Sequence, residues 1–179
     1  MVRINQHIEE DKREKDLKKK VYIAGPLFSK SELDFNLTLN EFLKNLEFNT
    51  FLPQQDGYLL SNLIDNGLEK DEAIQTIFQK DTETIKSCDL VVFVMDGRVP
   101  DEGACVEIGL AYAYNKECFG LKTDSRSLMD DMDNPLIIGA VKGRIARSFP
   151  ELESLLKSYI KDSSSSNPRT LKEPIIVEQ

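Results

Sequence analysis

The run Leu90–Met95, LVVFVM, limits most tightly what this chain can fold into. Six consecutive apolar residues, three of them Val, show neither the alternation of a half-exposed strand nor the period of an amphipathic helix. Such a run suits a strand buried on both faces, and both faces are covered where helices pack above and below a parallel sheet. The rest of the sequence agrees, because short apolar runs alternate with helix-period segments. Val21–Ala24 reads as a strand running into the turn Gly25-Pro26. Ser31 followed by Asp34 gives a capping signal, after which Phe35, Leu39, Phe42, Leu43 and Leu46 repeat at helical spacing. Thr50–Leu52 is a second strand, a polar loop follows, and residues 71–86 form a helix. Beyond the central run come a helix from about Gly103 to Asn115, a strand over Cys118–Leu121, a short helix over Pro135–Val141, a fifth strand within Gly143–Arg147 and a helix over Phe149–Ile160. The expected fold is α/β, a doubly wound five-stranded parallel sheet of flavodoxin-like (Rossmann-like) type in a single domain.

That domain is expected over residues 21–161, flanked by a charged N-terminal arm (1–20) and a Ser-rich C-terminal tail (162–179), whose Ile175, Ile176 and Val177 are apolar enough to dock. The net charge of −8 argues against a nucleic-acid polymer as partner, since phosphate binding needs a clustered basic face. No apolar run approaches the roughly 20 residues that cross a bilayer, and the first residues lack the apolar core of a signal peptide. Cys88, Cys105 and Cys118 have no CxxC spacing and are expected as reduced thiols, hence a cytoplasmic protein. The single histidine, His7, lies in the polar arm, which makes histidine catalysis and His-based zinc sites poor readings. Any chemistry then rests on carboxylates.

In open parallel sheets ligands bind beyond the carboxyl ends of the strands, so the loops after Ala24, Leu52 and Met95 are where to look. The loop after the central strand, DGRVPDEGACVEIG, carries Asp96, Asp101, Glu102 and Glu107. On the helix that follows, Ala104, Ile108, Ala111 and Tyr112 mark an apolar stripe, and Glu107 falls inside it. On the helix before the central strand, Ile74, Ile77, Phe78 and Ile85 mark another, which Asp81 continues. A single acid on an apolar stripe is often a hydrogen-bonded structural residue. Two on neighbouring helices beside a strand end point to an active site, because desolvating a carboxylate is costly and raises its pKa. Two such acids can divide the breaking of a glycosidic bond, one as nucleophile on the anomeric carbon and one carrying a proton.

At these residues the sequence resembles the nucleoside 2-deoxyribosyltransferase family over roughly residues 21–147. Four blocks carry the resemblance: VYIAGPLF (21–28), DTETIKSCD (81–89), DEGACVEIGLAYA (101–113) and DNPLIIG (133–139). The resemblance implies Glu107 as the nucleophile that forms a covalent 2-deoxyribosyl-enzyme, and Asp81 as the group that protonates the departing base and deprotonates the incoming one. It implies Asp101 as a holder of sugar hydroxyls, and Tyr22, Gly25 and Phe28 as substrate contacts. It also implies that Asn134 is lent to a neighbouring subunit's site, hence a homodimer or a dimer-built hexamer. Deoxyribonucleosides and free nucleobases are the implied partners, with no metal and no cofactor. The loop PQQDG (53–57) departs from the pattern; Gln55 is named for base contact, with Gln54 and Asp56 left open beside it.

The nearest rival is a deoxynucleoside 5′-monophosphate N-glycosidase of the same fold, which delivers the sugar to water. That branch tends to carry a small hydroxyl residue at the position of Asp101. A non-catalytic nucleotide-sensing module is a rival of another class, and a phosphorelay receiver would need Asp96 as its phosphoacceptor. Neither GxGxxG nor GxxxxGK[ST] occurs, which removes the dinucleotide-binding and P-loop readings.

Overall fold

The structure, a computed structural model, describes residues 18–126 and 132–165. The C-terminal segment expected to dock lies outside the described residues, as does all of the N-terminal arm before Lys18. Five strands, β1 (Lys20–Ala24), β2 (Asn49–Phe51), β3 (Leu90–Val94), β4 (Glu117–Leu121) and β5 (Ile145–Ala146), form one sheet in the order β2-β1-β3-β4-β5. All neighbours are parallel, with Tyr22 opposite both Phe51 and Val91, and Val92 opposite Phe119. The helices are α1 (Lys30–Asn45), α2 (Pro53–Asp56), α3 (Leu60–Asp65), α4 (Lys70–Ser87), α5 (Glu102–Ala113), α6 (Pro135–Ala140) and α7 (Phe149–Ser165). The doubly wound five-stranded sheet read from the sequence is thus the observed fold.

Strand alternation divides the interior into two layers. Val21 and Ile23 of β1 and Val92 and Val94 of β3 pack with Leu39 and Leu43 of α1 and Leu152 and Leu156 of α7. Tyr22, Ala24, Val91 and Phe93 point the other way, toward Ile85 of α4 and Ala104, Ile108 and Ala111 of α5. Every residue of β3 is buried, as the unbroken apolar run requires. Each fully buried Leu or Phe here contributes about 2 kcal/mol of transfer free energy, which is why the central strand tolerates no polar residue.

Several local expectations are corrected. Helix α1 starts two residues earlier than Ser31: Ser29 is the N-cap, accepting from Glu32 N at 3.3 Å, while Glu32 reaches back to Ser29 N at 2.7 Å. That reciprocal capping box satisfies donors that the Ser31 and Asp34 pair would have left open. The polar loop after β2 contains two short helices, α2 and α3. On α4 the buried residues are Ala73 and Ile85, while Ile74 is 42% and Phe78 52% exposed, so the face turned to the core runs through Ala73 and Ile85 and not through Ile74 and Phe78. On α5 Ala104, Ile108 and Ala111 are buried, but Tyr112 is 56% exposed. Helix α7 continues through Ser165, five residues past the expected end. No described helix is long and apolar enough to cross a membrane.

Candidate active site

The order β2-β1-β3 places the switch point of the sheet between β1 and β3, where the outgoing loops part and leave a crevice. Gly25 sits at its base: a side chain there would meet Val94 Cβ at 3.1 Å and Asn36 Oδ1 at 3.2 Å, so any larger residue would push against β3 and α1. Gly97, in the loop after β3, has φ 111°, which likewise favours glycine.

Alternation along β1 sends Tyr22 to the α4 and α5 side, where it is fully buried. Its ring stacks on Phe51, its partner in register, with centroids 5.4 Å apart and planes at 16°. Lys80 Nζ lies 5.6 Å from the centre of the Phe51 ring and 6.0 Å from that of Tyr58, so Phe51 is held by a ring and a cation. At the far end of Tyr22 the hydroxyl donates to Glu107 Oε1 at 2.5 Å. Glu107 reaches it because α5 presents it between Ala104 and Ile108, both buried against the sheet.

Burial dominates the electrostatics. It pushes the Glu107 carboxyl up to about 8; the Tyr22 hydrogen bond opposes the rise, and the negative charges of Asp81 and Asp101 add to it. Burial likewise pushes Asp81 up to about 6, against the neighbouring Lys80 cation. The Tyr22 hydroxyl is held far above its ordinary range by burial first, then by the charges of Glu107 and Asp81. Glu107, Asp81, Asp101 and Tyr22 therefore sit close enough to feel one another in a partly dry site. Paired acids with raised and different pKa values are what acid, base and nucleophile roles require. Among the described residues no group of three His, Cys, Asp or Glu side chains is arranged to hold a metal ion.

Asp101 has a second task that the sequence reading did not assign. It is the N-cap of α5, its Oδ2 accepting from Ala104 N at 2.8 Å. Asp101, Phe28, Pro26 and Gly97 line a cleft of about 430 Å³ over the strand ends, together with Glu32 and Glu102. The Phe28 ring is 82% exposed at its edge. Asp96 closes the floor: Oδ1 accepts from Thr123 N and Asp124 N at 2.5 and 2.9 Å, Oδ2 from Thr123 Oγ1 at 2.6 Å, and Asp124 answers by accepting from Gly97 N at 3.2 Å. Both oxygens of Asp96 are thus committed to joining two loops, contrary to the free phosphoacceptor a receiver needs.

The loop after β2 separates its three candidates. Gln54 is tied back to α1, accepting from Asn36 Nδ2 at 3.3 Å and donating to Leu33 O at 3.0 Å. Asp56 accepts from Leu52 N at 2.8 Å. Gln55 is exposed and accepts from Asn40 Nδ2 at 2.9 Å; none of these bonds brings the loop to Glu107. Asn134 also stands apart from the Tyr22 cluster. It is exposed and caps α6, accepting from Leu136 N at 2.9 Å, at the rim of an apolar groove of about 570 Å³ lined by Cys105, Ile108, Tyr112 and Leu136. Phe51 and Lys80 went unnoticed in the sequence, although the parity of β2 against β1 would have put Phe51 beside Tyr22.

Fold and cluster together define a flavodoxin-like α/β protein with paired, desolvated carboxylates beside its switch point. The sequence profile named Nucleoside 2-deoxyribosyltransferase matches residues 21–156, and the chain belongs to that family. A conserved protein of Enterococcus faecalis V583 is similar at 28% identity, over 79% of this chain and 99% of that one, with a TM-score of 0.67. Two 2-deoxyribosyltransferases share the fold at 19% identity. That of Bacillus psychrosaccharolyticus aligns over 75% of this chain and 90% of its own with a TM-score of 0.60. That of Leishmania mexicana aligns over 80% and 97% with a TM-score of 0.54. No curated protein matches the chain.

Proposed function

We propose that this protein transfers 2-deoxyribose between nucleobases through a covalent deoxyribosyl-Glu107 intermediate. The observation that carries the reading is the part-buried Tyr22–Glu107 hydrogen bond in the same electrostatic cluster as Asp81. In the first half-reaction a Glu107 carboxylate oxygen bonds to the anomeric carbon and the C–N glycosidic bond breaks. The electron pair of that bond leaves with the base, which takes a proton from Asp81. In the second half-reaction the incoming base loses a proton to Asp81, its nitrogen attacks the anomeric carbon, and Glu107 is released as carboxylate. Glu107 must begin ionised and Asp81 protonated, the reverse of the order in which burial raises the two carboxyls, to about 8 and about 6. The reactive form is therefore the minor one of a pair that shares one proton and whose apparent pKa values belong to both. Asp101, lining the cleft, suits a sugar hydroxyl, with the Phe28 ring at the edge.

The exposed apolar groove between α5 and α6, with Asn134 at its rim, supports a homo-oligomer in which a second copy covers this face. Cys88, Cys105 and Cys118 are free, which supports a reducing, cytoplasmic setting.

The test is incubation with 2′-deoxyinosine plus adenine or cytosine, following the bases chromatographically, beside the same reaction with deoxynucleoside 5′-monophosphates. New deoxynucleosides should form from the former. Trapping with a 2-fluoro-2-deoxynucleoside should add one sugar, mapped by mass spectrometry to the peptide containing Glu107, and Glu107→Ala should form neither adduct nor product. An adduct elsewhere overturns the mechanism, and release of free deoxyribose phosphate in place of transfer makes the protein a hydrolase.

A further inference from the structure

Among the described residues only Lys122 and Asp133 are both formally charged and buried, at 2% and 7% exposure, and they are ion-paired with each other. The proposed chemistry uses neither. Lys122 follows the last residue of β4, and its backbone N donates to Ala146 O of β5 at 2.8 Å. Asp133 stands where the chain returns to the sheet, directly before Asn134 and helix α6. Arg147, just past β5, brings Nη2 to 3.9 Å from Asp133 Oδ2. One carboxylate is thus fastened to the ends of two adjacent strands.

Helix α6 packs through Ile137 and Ala140, both partly buried against the core, and ends on the fully buried Val141, whereas Leu136 in its first turn is 84% exposed, so packing fixes the end of the helix more than its start. Its first turn is held locally by Asn134, whose carbonyl accepts from Ile137 N and Ile138 N at 3.0 Å and whose side chain accepts from Leu136 N. These bonds would move with the helix. The ion pair would not: shifting Asp133 by one residue leaves two desolvated charges without partners. Apolar pairs of similar volume often stabilise a fold as well as a buried ion pair or better, so stability alone does not account for the charges.

We propose that the Lys122–Asp133 ion pair is a positioning device that fixes the start of α6, and with it Asn134, on the face offered to a neighbouring copy. This rests on the reading above, in which Asn134 serves a shared site. The experiment compares wild type, Lys122→Met and Lys122→Met/Asp133→Leu by thermal unfolding, base-exchange kcat and KM, and amide hydrogen exchange at Leu136, Ile137 and Ile138. Lys122→Met should lower both Tm and kcat. The double variant should recover the wild-type Tm yet keep kcat down by about 100-fold, the size expected for a misplaced positioning group, with the three amides exchanging at least about tenfold faster. In an Asn134→Ala background the double change should cost less than about threefold more, because it acts through that residue. A double variant that recovers Tm, amide protection and kcat together overturns the proposal, as do losses that multiply with that of Asn134→Ala. Should the wild type exchange no bases, the transfer reading fails and the amides alone decide: faster exchange in the folded double variant supports the positioning role and unchanged exchange overturns it.

Discussion

The Tyr22 hydroxyl, rooted in the third residue of β1, donates to Oε1 of Glu107 on α5 at 2.5 Å. Of the influences acting on Glu107 this bond alone favours ionisation; burial, Asp81 and Asp101 all oppose it. Tyr22→Phe keeps the ring and its stack on Phe51 but removes the donor, so Glu107 should ionise at still higher pH. A rise of about one unit leaves tenfold less carboxylate near neutral pH, and kcat/KM there should fall by roughly tenfold. Rate profiles from about pH 5 to 9 should show the acid limb displaced upward in the variant. A limb that stays in place would mean that Tyr22 does not tune the nucleophile.

Stability should carry the same signature with a definite sign. Both carboxyls ionise later in the folded chain than in the unfolded one, Asp81 near 6 and Glu107 near 8. The folded state therefore binds more protons over this interval, and stability falls as pH rises. The contribution of the pair is fully present below the ordinary carboxylate range and lost as pH rises through about 6 for Asp81 and about 8 for Glu107. Glu107→Gln keeps an acceptor for Tyr22 and removes the buried charge. It should raise Tm by about 3 °C or more near pH 9 and change it little near pH 5, where the wild-type group is already neutral. An equal Tm difference at both pH values would contradict the desolvation argument.

Much of this was legible because burial leaves a periodic trace. LVVFVM specified β3, and the place of Glu107 between Ala104 and Ile108 specified its inward aim. The α4 stripe misled at Ile74 and Phe78: hydrophobic period reports that a face is apolar, not that something within the chain covers it. The capping box at Ser29 was shifted by two residues because Ser29 and Ser31 both precede an acid three positions on, and only the backbone chooses between them. The Lys122–Asp133 pair joins residues 11 positions apart and the Asp96–Asp124 clasp residues 28 apart, and no helical or strand period marks such pairings. Asp101 was read as a holder of sugar hydroxyls, whereas its first neighbour is the α5 backbone.

Asp81 gives a prediction that separates chemistry from placement. With the carboxyl near 6 it can hold a proton at neutral pH in a useful fraction of molecules, which a leaving base needs. Asp81→Asn should slow exchange of natural nucleosides by roughly 10² to 10⁴-fold. Nucleosides whose bases leave readily without protonation should lose much less. Equal loss on activated and natural substrates, measured by initial rates with circular dichroism unchanged, would make Asp81 a positional residue only.

Asp101 decides between the two enzyme readings, and its cap role makes the deciding variant clean. A carboxylate lining the cleft near the sugar should accept a free 5′-hydroxyl and oppose a 5′-phosphate, by roughly a kcal/mol or more in a partly desolvated site. Asp101→Ser removes the charge but leaves an oxygen that can still accept from Ala104 N, so α5 keeps its cap and Tm should hold within about 1 °C. Asp101→Ala loses charge and cap together and should cost about 1 kcal/mol of stability. The quantity to measure is the ratio of kcat/KM for 2′-deoxyadenosine to that for its 5′-monophosphate. It should favour the nucleoside in the wild type, and drop by about fivefold or more in both variants, since about 1 kcal/mol is that factor. Serine should shift it furthest, because a hydroxyl can donate to phosphate. A wild type that already prefers the monophosphate would reverse the assignment of Asp101, whereas a ratio unchanged in the still-folded serine variant would confine Asp101 to holding the end of α5.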